Sequence, residues 1–173
     1  MSLEGRTAKI LIVAAEQSNL ELLETILHLA GYSNLFTTTD LEYAIALFKE
    51  NNPDLVLLDL HMPPRNEDEM LCALRSLSPA NAFLPIVLLA ADATEDMRRR
   101  LLAEGATDFV SKPADAVEVM LRVENLLRVR FLEEELQNEK APLERRLKER
   151  TRVLEQTIAE LRCAEWPLFR GNR

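Results

Sequence analysis

The stretch "DLVLLDL", residues 54–60, is a short apolar run that begins with one aspartate and carries another near its end. Three other short apolar runs are "AKILIVA" (8–14), "PIVLLAA" (85–91) and "TDFVS" (107–111). Continuous apolar runs bounded by turn residues are typical of strands buried on both faces of a parallel sheet. A weaker run, "NLFTTT" (34–39), predicts a fifth and more exposed strand.

Amphipathic segments separate these runs and predict helices. Their starts are marked by residues that cap or begin helices: a capping box from Ser18 to Glu21, Asp40 or Thr39, Glu67, Thr94, and Pro113 or Ala114. The first helix should stop at Gly31 and the fourth at Gly105, since glycine commonly ends helices. One face of the first helix carries Leu20, Leu23, Ile26 and Leu27.

Strand and helix alternate five times within residues 1–127, which predicts a doubly wound α/β domain with a five-stranded parallel sheet. In the strand order 2-1-3-4-5, ligands bind outside the carboxyl ends of the strands. Those ends bring together Ala14 with Ala15, Asp59, Ala90 and Lys112. An isolated charge at such a place is costly, so we expect a direct ion pair between Asp59 and Lys112.

Composition changes in the second predicted segment, residues 128–173. Residues 129–173 hold 10 Lys/Arg and 9 Asp/Glu, whereas the rest of the chain holds 11 and 20. A coiled-coil seam is predicted at Leu147, Leu154, Ile158 and Leu161. Pro142 lacks a backbone donor, so we expect two helical pieces interrupted near it. A helix with an unburied leucine seam most simply forms a parallel homodimer.

The overall charge and composition exclude several classes of protein. The net charge of −8 over 173 residues argues against binding to nucleic acid or to an anionic membrane surface. The sequence has no apolar run of about 18 residues and no secretion signal, which indicates a cytoplasmic protein. Cys72 and Cys163 are far apart and without metal-ligand neighbours, so two reduced thiols are expected rather than a disulfide or a metal site.

Three motifs carry a resemblance to a known family. The segments "PDLVLLDLHMP" (53–63), "PIVLLAADAT" (85–94) and "GATDFVSKP" (105–113) resemble those of a response-regulator receiver domain, over roughly residues 7–127. The resemblance implies that Asp59 is the phosphoacceptor and Lys112 the phosphate-binding lysine. It also implies that Ala90 and Phe109 occupy the switch positions, although Phe109 can equally be an ordinary strand aromatic.

The chain departs from this family where the chemistry is done. The family usually ends its first strand with two acidic residues that hold Mg²⁺, and this chain has Ala14 and Ala15. Position 90 usually carries Ser or Thr, and here it is alanine. Because the acidic pair is missing, we expect weak metal binding. Phosphoryl transfer needs its developing charge neutralised, and the metal normally does most of this.

The favoured hypothesis is therefore a degenerate receiver with no catalytic residues and no cofactor, acting as an interaction and dimerisation module. Three carboxylates, one lysine and one Mg²⁺ would give a neutral pocket, and Asp59 with Lys112 alone is also neutral. The alternative is a phosphoaccepting regulator that uses Mg²⁺, receives phosphate from a histidine kinase at Asp59, and feeds an output domain missing from this chain. A third possibility, a flavin-binding electron carrier, lacks the phosphate-cradling loop it would need.

Overall fold

The computed structural model of the chain describes residues 7–60, 67–78, 83–91 and 93–165. Strands and helices alternate along it as predicted. In order they are β1 (Lys9–Val13), α1 (Gln17–Leu29), β2 (Asn34–Thr38), α2 (Leu41–Asn51), β3 (Leu55–Asp59), α3 (Glu67–Leu77), β4 (Ile86–Ala90), α4 (Glu95–Ala103), β5 (Asp108–Ser111) and α5 (Ala116–Glu165).

The five strands form one parallel sheet in the order β2-β1-β3-β4-β5, which confirms the predicted fold. Every residue of β3 and β4 is buried, as their uninterrupted apolar sequences predict. β2 lies at the edge of the sheet and is only partly buried, in agreement with its weaker pattern.

Apolar side chains fill both faces of the sheet. Leu11 and Val13 of β1 belong to a cluster that includes residues of α2, α3 and α4, whereas Ile10 and Ile12 belong to a second cluster with residues of α1 and α5. This alternation follows from the period of two along a strand. The sheet is thus covered on both sides, and its free rim at the strand ends is where a site is built.

Two predicted helix starts are confirmed. The Asp40 carboxylate accepts hydrogen bonds from the backbone N–H groups of Glu42 and Tyr43, and the Thr94 hydroxyl accepts one from Met97 N. Each satisfies backbone donors that the first turn of a helix leaves without a partner.

Two other predicted starts are wrong. α1 begins at Gln17, one residue before the expected cap; the Glu16 carbonyl accepts from Leu20 N, and the Ser18 hydroxyl, already inside the first turn, donates to the Glu16 carboxylate. α5 begins at Ala116 rather than at Pro113 or Ala114, because the Asp115 carboxylate accepts from Val117 N and Glu118 N and so forms the cap.

α5 also corrects the expected break at Pro142, which lies inside a single helix of 50 residues. Proline costs a helix one backbone hydrogen bond, yet the residues around it, such as Lys140, Ala141 and Leu143, favour helix strongly enough for the helix to continue. Contacts group the chain into two compact units, Met1–Glu133 and Glu134–Arg173. Among the helices in the described part of the chain, none has the length and apolar character needed to cross a bilayer.

Candidate functional site

Asp59 is the last residue of β3 and lies at the rim of the sheet. Among the described residues, it is the only Asp or Glu that is buried. β3 lies between β1 and β4, so both neighbouring strands shield it from solvent. Only 1% of the Asp59 side chain is exposed. A carboxylate in such a place requires hydrogen bonds and a cation to remain ionised.

Lys112 supplies that cation, which confirms the predicted ion pair. Its ammonium donates to Asp59 Oδ2, and its side chain is 22% exposed. The residue directly follows β5, where its backbone N–H donates to the Ala90 carbonyl at 2.8 Å. The backbone N–H of Ala15 is a second donor to Asp59 Oδ2, at 3.4 Å.

The end of β1 offers methyl groups to this site. Ala14 is fully buried, and its backbone N–H donates to the Thr38 carbonyl at 3.2 Å; Ala15 is half-buried. Glu16, the next residue along, is exposed.

This donor set does not fit Mg²⁺. The ion takes oxygen ligands in a near-octahedral arrangement, whereas the side chains after β1 are methyl groups and Asp59 Oδ2 already accepts from an ammonium and an amide. Within the described ranges, the structure brings together no group of three or more His, Cys, Asp or Glu side chains able to hold a metal ion. No step through a metal follows from these residues.

Ala90 and Phe109, which the resemblance assigns to the switch positions, lie in the same buried cluster. Phe109 is buried, and the guanidinium carbon of Arg98 lies 5.8 Å from the centre of its ring. A guanidinium at this distance attracts the electron-rich ring face. Arg98 was not predicted from the sequence, because its spacing within the charged run of α4 gives no sign of its partner.

Arg75 forms a second cluster of polar contacts that the sequence did not indicate. Its guanidinium donates to the Gly105 carbonyl, to the Leu84 carbonyl at 2.7 Å and to the Thr107 hydroxyl at 3.2 Å. Burial lowers the pKa of Arg75 from its usual value. These contacts link α3 to the chain before β4 and before β5, so they support the sheet at the rim opposite to Asp59.

The remaining candidate residues belong to helices α3 and α5. The predicted seam residues Leu147, Leu154, Ile158 and Leu161 are exposed on α5. Cys72 is an exposed free thiol, and the side chain of Cys163 lies outside the described part of the chain.

Comparison with known proteins shows which family this chain resembles. The family description "Response regulator receiver domain" matches residues 10–124. The chain is 33% identical over 135 residues to "Response regulator PleD" of Caulobacter vibrioides, covering 78% of this chain and 29% of that protein. It is 33% identical over 122 residues to "Transcriptional regulatory protein PrrA" of Mycobacterium bovis, covering 70% of this chain and 51% of that protein.

Solved structures agree with the sequence relatives. The chemotaxis protein CheY4 of Vibrio cholerae superposes with a TM-score of 0.64 at 26% identity, covering 69% of this chain and 98% of that one. NtrX from Brucella abortus gives a TM-score of 0.69 at 26% identity, covering 76% of this chain and 29% of that one. The chain spans 29% of the length of PleD and of NtrX and about half of the length of PrrA.

Proposed function

The chain belongs to the response regulator receiver domain family of two-component signalling, and we propose that within it this is a degenerate receiver that does not carry out Mg²⁺-dependent phosphorylation. Its output is then protein interaction and dimerisation rather than a reaction. The observation that carries the proposal is the Asp59 carboxylate, almost fully buried and bound to Lys112, with methyl groups at Ala14 and Ala15.

Charge balance supports a pocket that is stable without a metal. The charges of Asp59 and Lys112 cancel, so the pair needs no divalent cation to offset a surplus of carboxylates. A complete family pocket would need Mg²⁺ for that purpose. The substitutions at positions 14 and 15 thus remove the need for the ion together with its ligands.

The donors already bound to one oxygen of Asp59 support the same proposal. Phosphoryl transfer needs the acceptor oxygen in line with the incoming phosphorus. Asp59 Oδ2 accepts from the Lys112 ammonium and from Ala15 N, so attack through this oxygen would first require these donors to move. Ala90 offers no hydroxyl to a phosphoryl oxygen. Without a bound metal, nothing at the end of β1 replaces the charge neutralisation that the transition state requires.

The alternative is a phosphoaccepting receiver that uses Asp59 and passes the signal to an output domain. One observation favours it, because Asp59 and Lys112 are both present and in contact. Relatives such as PleD and PrrA are longer than this chain, and their names describe a response regulator and a transcriptional regulator. A histidine kinase is the expected partner under this alternative. If the chain is a degenerate receiver, another signalling protein can be the partner instead.

The deciding experiment adds Mg²⁺ and beryllofluoride, which mimics a phosphoryl group on a carboxylate, to the ¹⁵N-labelled full chain. Amide resonances of Ala15, Ala90 and Lys112 report on the pocket. We expect no saturable shift in the native chain and a clear shift in the variant Ala14→Asp/Ala15→Asp/Ala90→Thr, which restores the family's side chains.

A saturable, metal-dependent shift in the native chain that disappears in Asp59→Asn would overturn the proposal. It would make Asp59 a working phosphoacceptor and restore the alternative function.

A further inference from the structure

The C-terminal part of α5 carries a row of exposed apolar side chains, which we name the leucine stripe. Between 49% and 67% of each residue is exposed. The stripe consists of Leu136, Leu143, Leu147, Leu154, Ile158 and Leu161. Leu161 lies seven residues after Leu154. The other five residues follow an 11-residue repeat, in which Leu136, Leu147 and Ile158 form one series and Leu143 and Leu154 another.

This period matches a nearly straight helix. At about 100° per residue, all six side chains fall within about 40° of the direction of Leu154. A seven-residue seam drawn back from Leu154 and Leu147 would instead place Glu144 at the centre and Leu143 at the edge. An 11-residue repeat keeps Leu143 at the centre and gives little supercoil, or a right-handed one. Pro142 lies about 120° from the stripe, so the row of leucines passes it uninterrupted.

Charged residues on the two edges of the stripe indicate what covers it. Arg146 and Arg150 lie along one edge, and Glu144 and Glu155 along the other. In a parallel two-stranded assembly, each edge faces the opposite edge of the partner, so arginines meet glutamates. In an antiparallel one, each edge faces its own kind, and like charges meet.

The start of the stripe carries the opposite signs on its two edges. Glu139 lies on the edge that carries Arg146, and Lys140 lies on the edge that carries Glu144, where the two side chains approach at 3.8 Å. At the five-residue offset that brings Arg150 to Glu155 of a parallel partner, Glu139 would face Glu144, so the preference for a parallel partner rests on Arg150 and Glu155. Lys148 lies farther round the helix, about 120° from the stripe, and takes less part in the contact.

Resting on the proposed function, in which dimerisation is the output, we infer that the leucine stripe binds a second copy of this chain, parallel and in register, as a coiled coil with an 11-residue repeat. Six apolar side chains from each copy leave water over about 38 Å of helix. A helix of this length gains stability mainly by burying such a face.

The first test compares the molar mass and dimer dissociation constant of the full chain with those of two glutamate variants in one helical turn. Leu154→Glu places a carboxylate in the seam of each copy and should raise the dissociation constant by at least about 100-fold. Gln156→Glu adds the same charge on the opposite face and should change it by less than about threefold. A monomeric native chain, or equal effects of the two variants, would overturn the inference.

The second test determines direction and repeat by disulfide formation in the background Cys72→Ser/Cys163→Ser. Leu136→Cys should form a disulfide-linked dimer on oxidation, because two copies of this position meet only in a parallel assembly. An antiparallel one would separate them by about 38 Å, beyond the reach of a disulfide. Leu143→Cys should cross-link and Glu144→Cys should not, whereas a seven-residue seam predicts the reverse.

A charge exchange completes the test. Arg150→Glu and Glu155→Arg should each weaken the dimer, and the double variant should restore it, since unlike charges again face each other. Failure of the double variant to recover would refute the edge pairing. These readouts are independent of the beryllofluoride experiment. A metal-dependent shift at the Asp59 pocket would overturn the proposed lack of phosphorylation and leave the dimer inference standing. A monomeric chain would overturn the dimer inference and leave the proposed lack of phosphorylation standing.

Discussion

The Asp59–Lys112 pair allows a direct test of the charge balance in the pocket. In Lys112→Met, the Asp59 carboxylate keeps the Ala15 N–H but loses the ammonium, while only 1% of its side chain is exposed. Removing one member of a buried pair costs about 3–5 kcal/mol of unfolding free energy. Because Lys112 is itself 22% exposed, water screens part of the interaction, and we expect the lower end, about 3 kcal/mol.

The other members of the mutant cycle are expected to cost less. Asp59→Asn leaves the ammonium of Lys112, which its flexible stem can turn towards solvent, so the loss should be about 1–2 kcal/mol. The double variant Asp59→Asn/Lys112→Met buries no charge and should also lose about 1–2 kcal/mol, less than Lys112→Met alone.

Urea unfolding followed by far-UV circular dichroism measures these changes, at one protein concentration because self-association shifts apparent stability. The matched control is the Ala14→Asp/Ala15→Asp background. There three carboxylates repel one another, so Asp59→Asn should stabilise the protein. A native chain that is stabilised by Asp59→Asn would carry surplus negative charge in its pocket, and the reasoning from a neutral pair would be refuted.

Three further predictions concern the support of the fold. Arg75→Lys should lower the free energy of unfolding in urea by about 2 kcal/mol, because one ammonium cannot reproduce the guanidinium's several donors. The control Arg99→Lys, at an exposed arginine, should change it very little. Gly105→Ala should lower the free energy of unfolding by about 2–3 kcal/mol, since φ is +117° and the new methyl would lie 2.9 Å from Arg75 Nε. In an Arg75→Ala background this loss of stability should be smaller. Burial and the nearby Glu124 carboxylate raise the pKa of Tyr32 above 10.0, so native stability should fall above about pH 10, where the unfolded tyrosine ionises first. Thermal unfolding should show a smaller alkaline loss in Tyr32→Phe, and an equal loss would exclude this cause.

Much of the fold and the centre of the site follow from the sequence because they depend on strong, local signals. Buried parallel strands need uninterrupted apolar runs, and "DLVLLDL" provides one that ends at the site. The Asp59–Lys112 contact was predictable even though the two residues lie 53 positions apart, because two buried charges at one rim have few other partners.

The features that the sequence did not predict depend on contacts rather than on pattern. Arg75 meets Gly105 from 30 positions away, and nothing in the helix around it distinguishes it from a surface arginine. Ser18 has the right type for a cap, but the helix begins one residue earlier. Pro142 was expected to interrupt a helix because it lacks a backbone donor, yet α5 continues through it.

The packing around Ala90 bears on how a receiver can work without a phosphoryl group. Phe109 and Ala90 share one buried cluster, and Arg98 covers the ring of Phe109. With a methyl group at position 90, no hydroxyl is available to follow a phosphoryl oxygen and change the space beside the ring. Apolar packing and the Asp59–Lys112 pair stabilise this region in the structure. Under the proposed function, a signal therefore enters through association of the chain with a partner, and the leucine stripe is the surface proposed for that association.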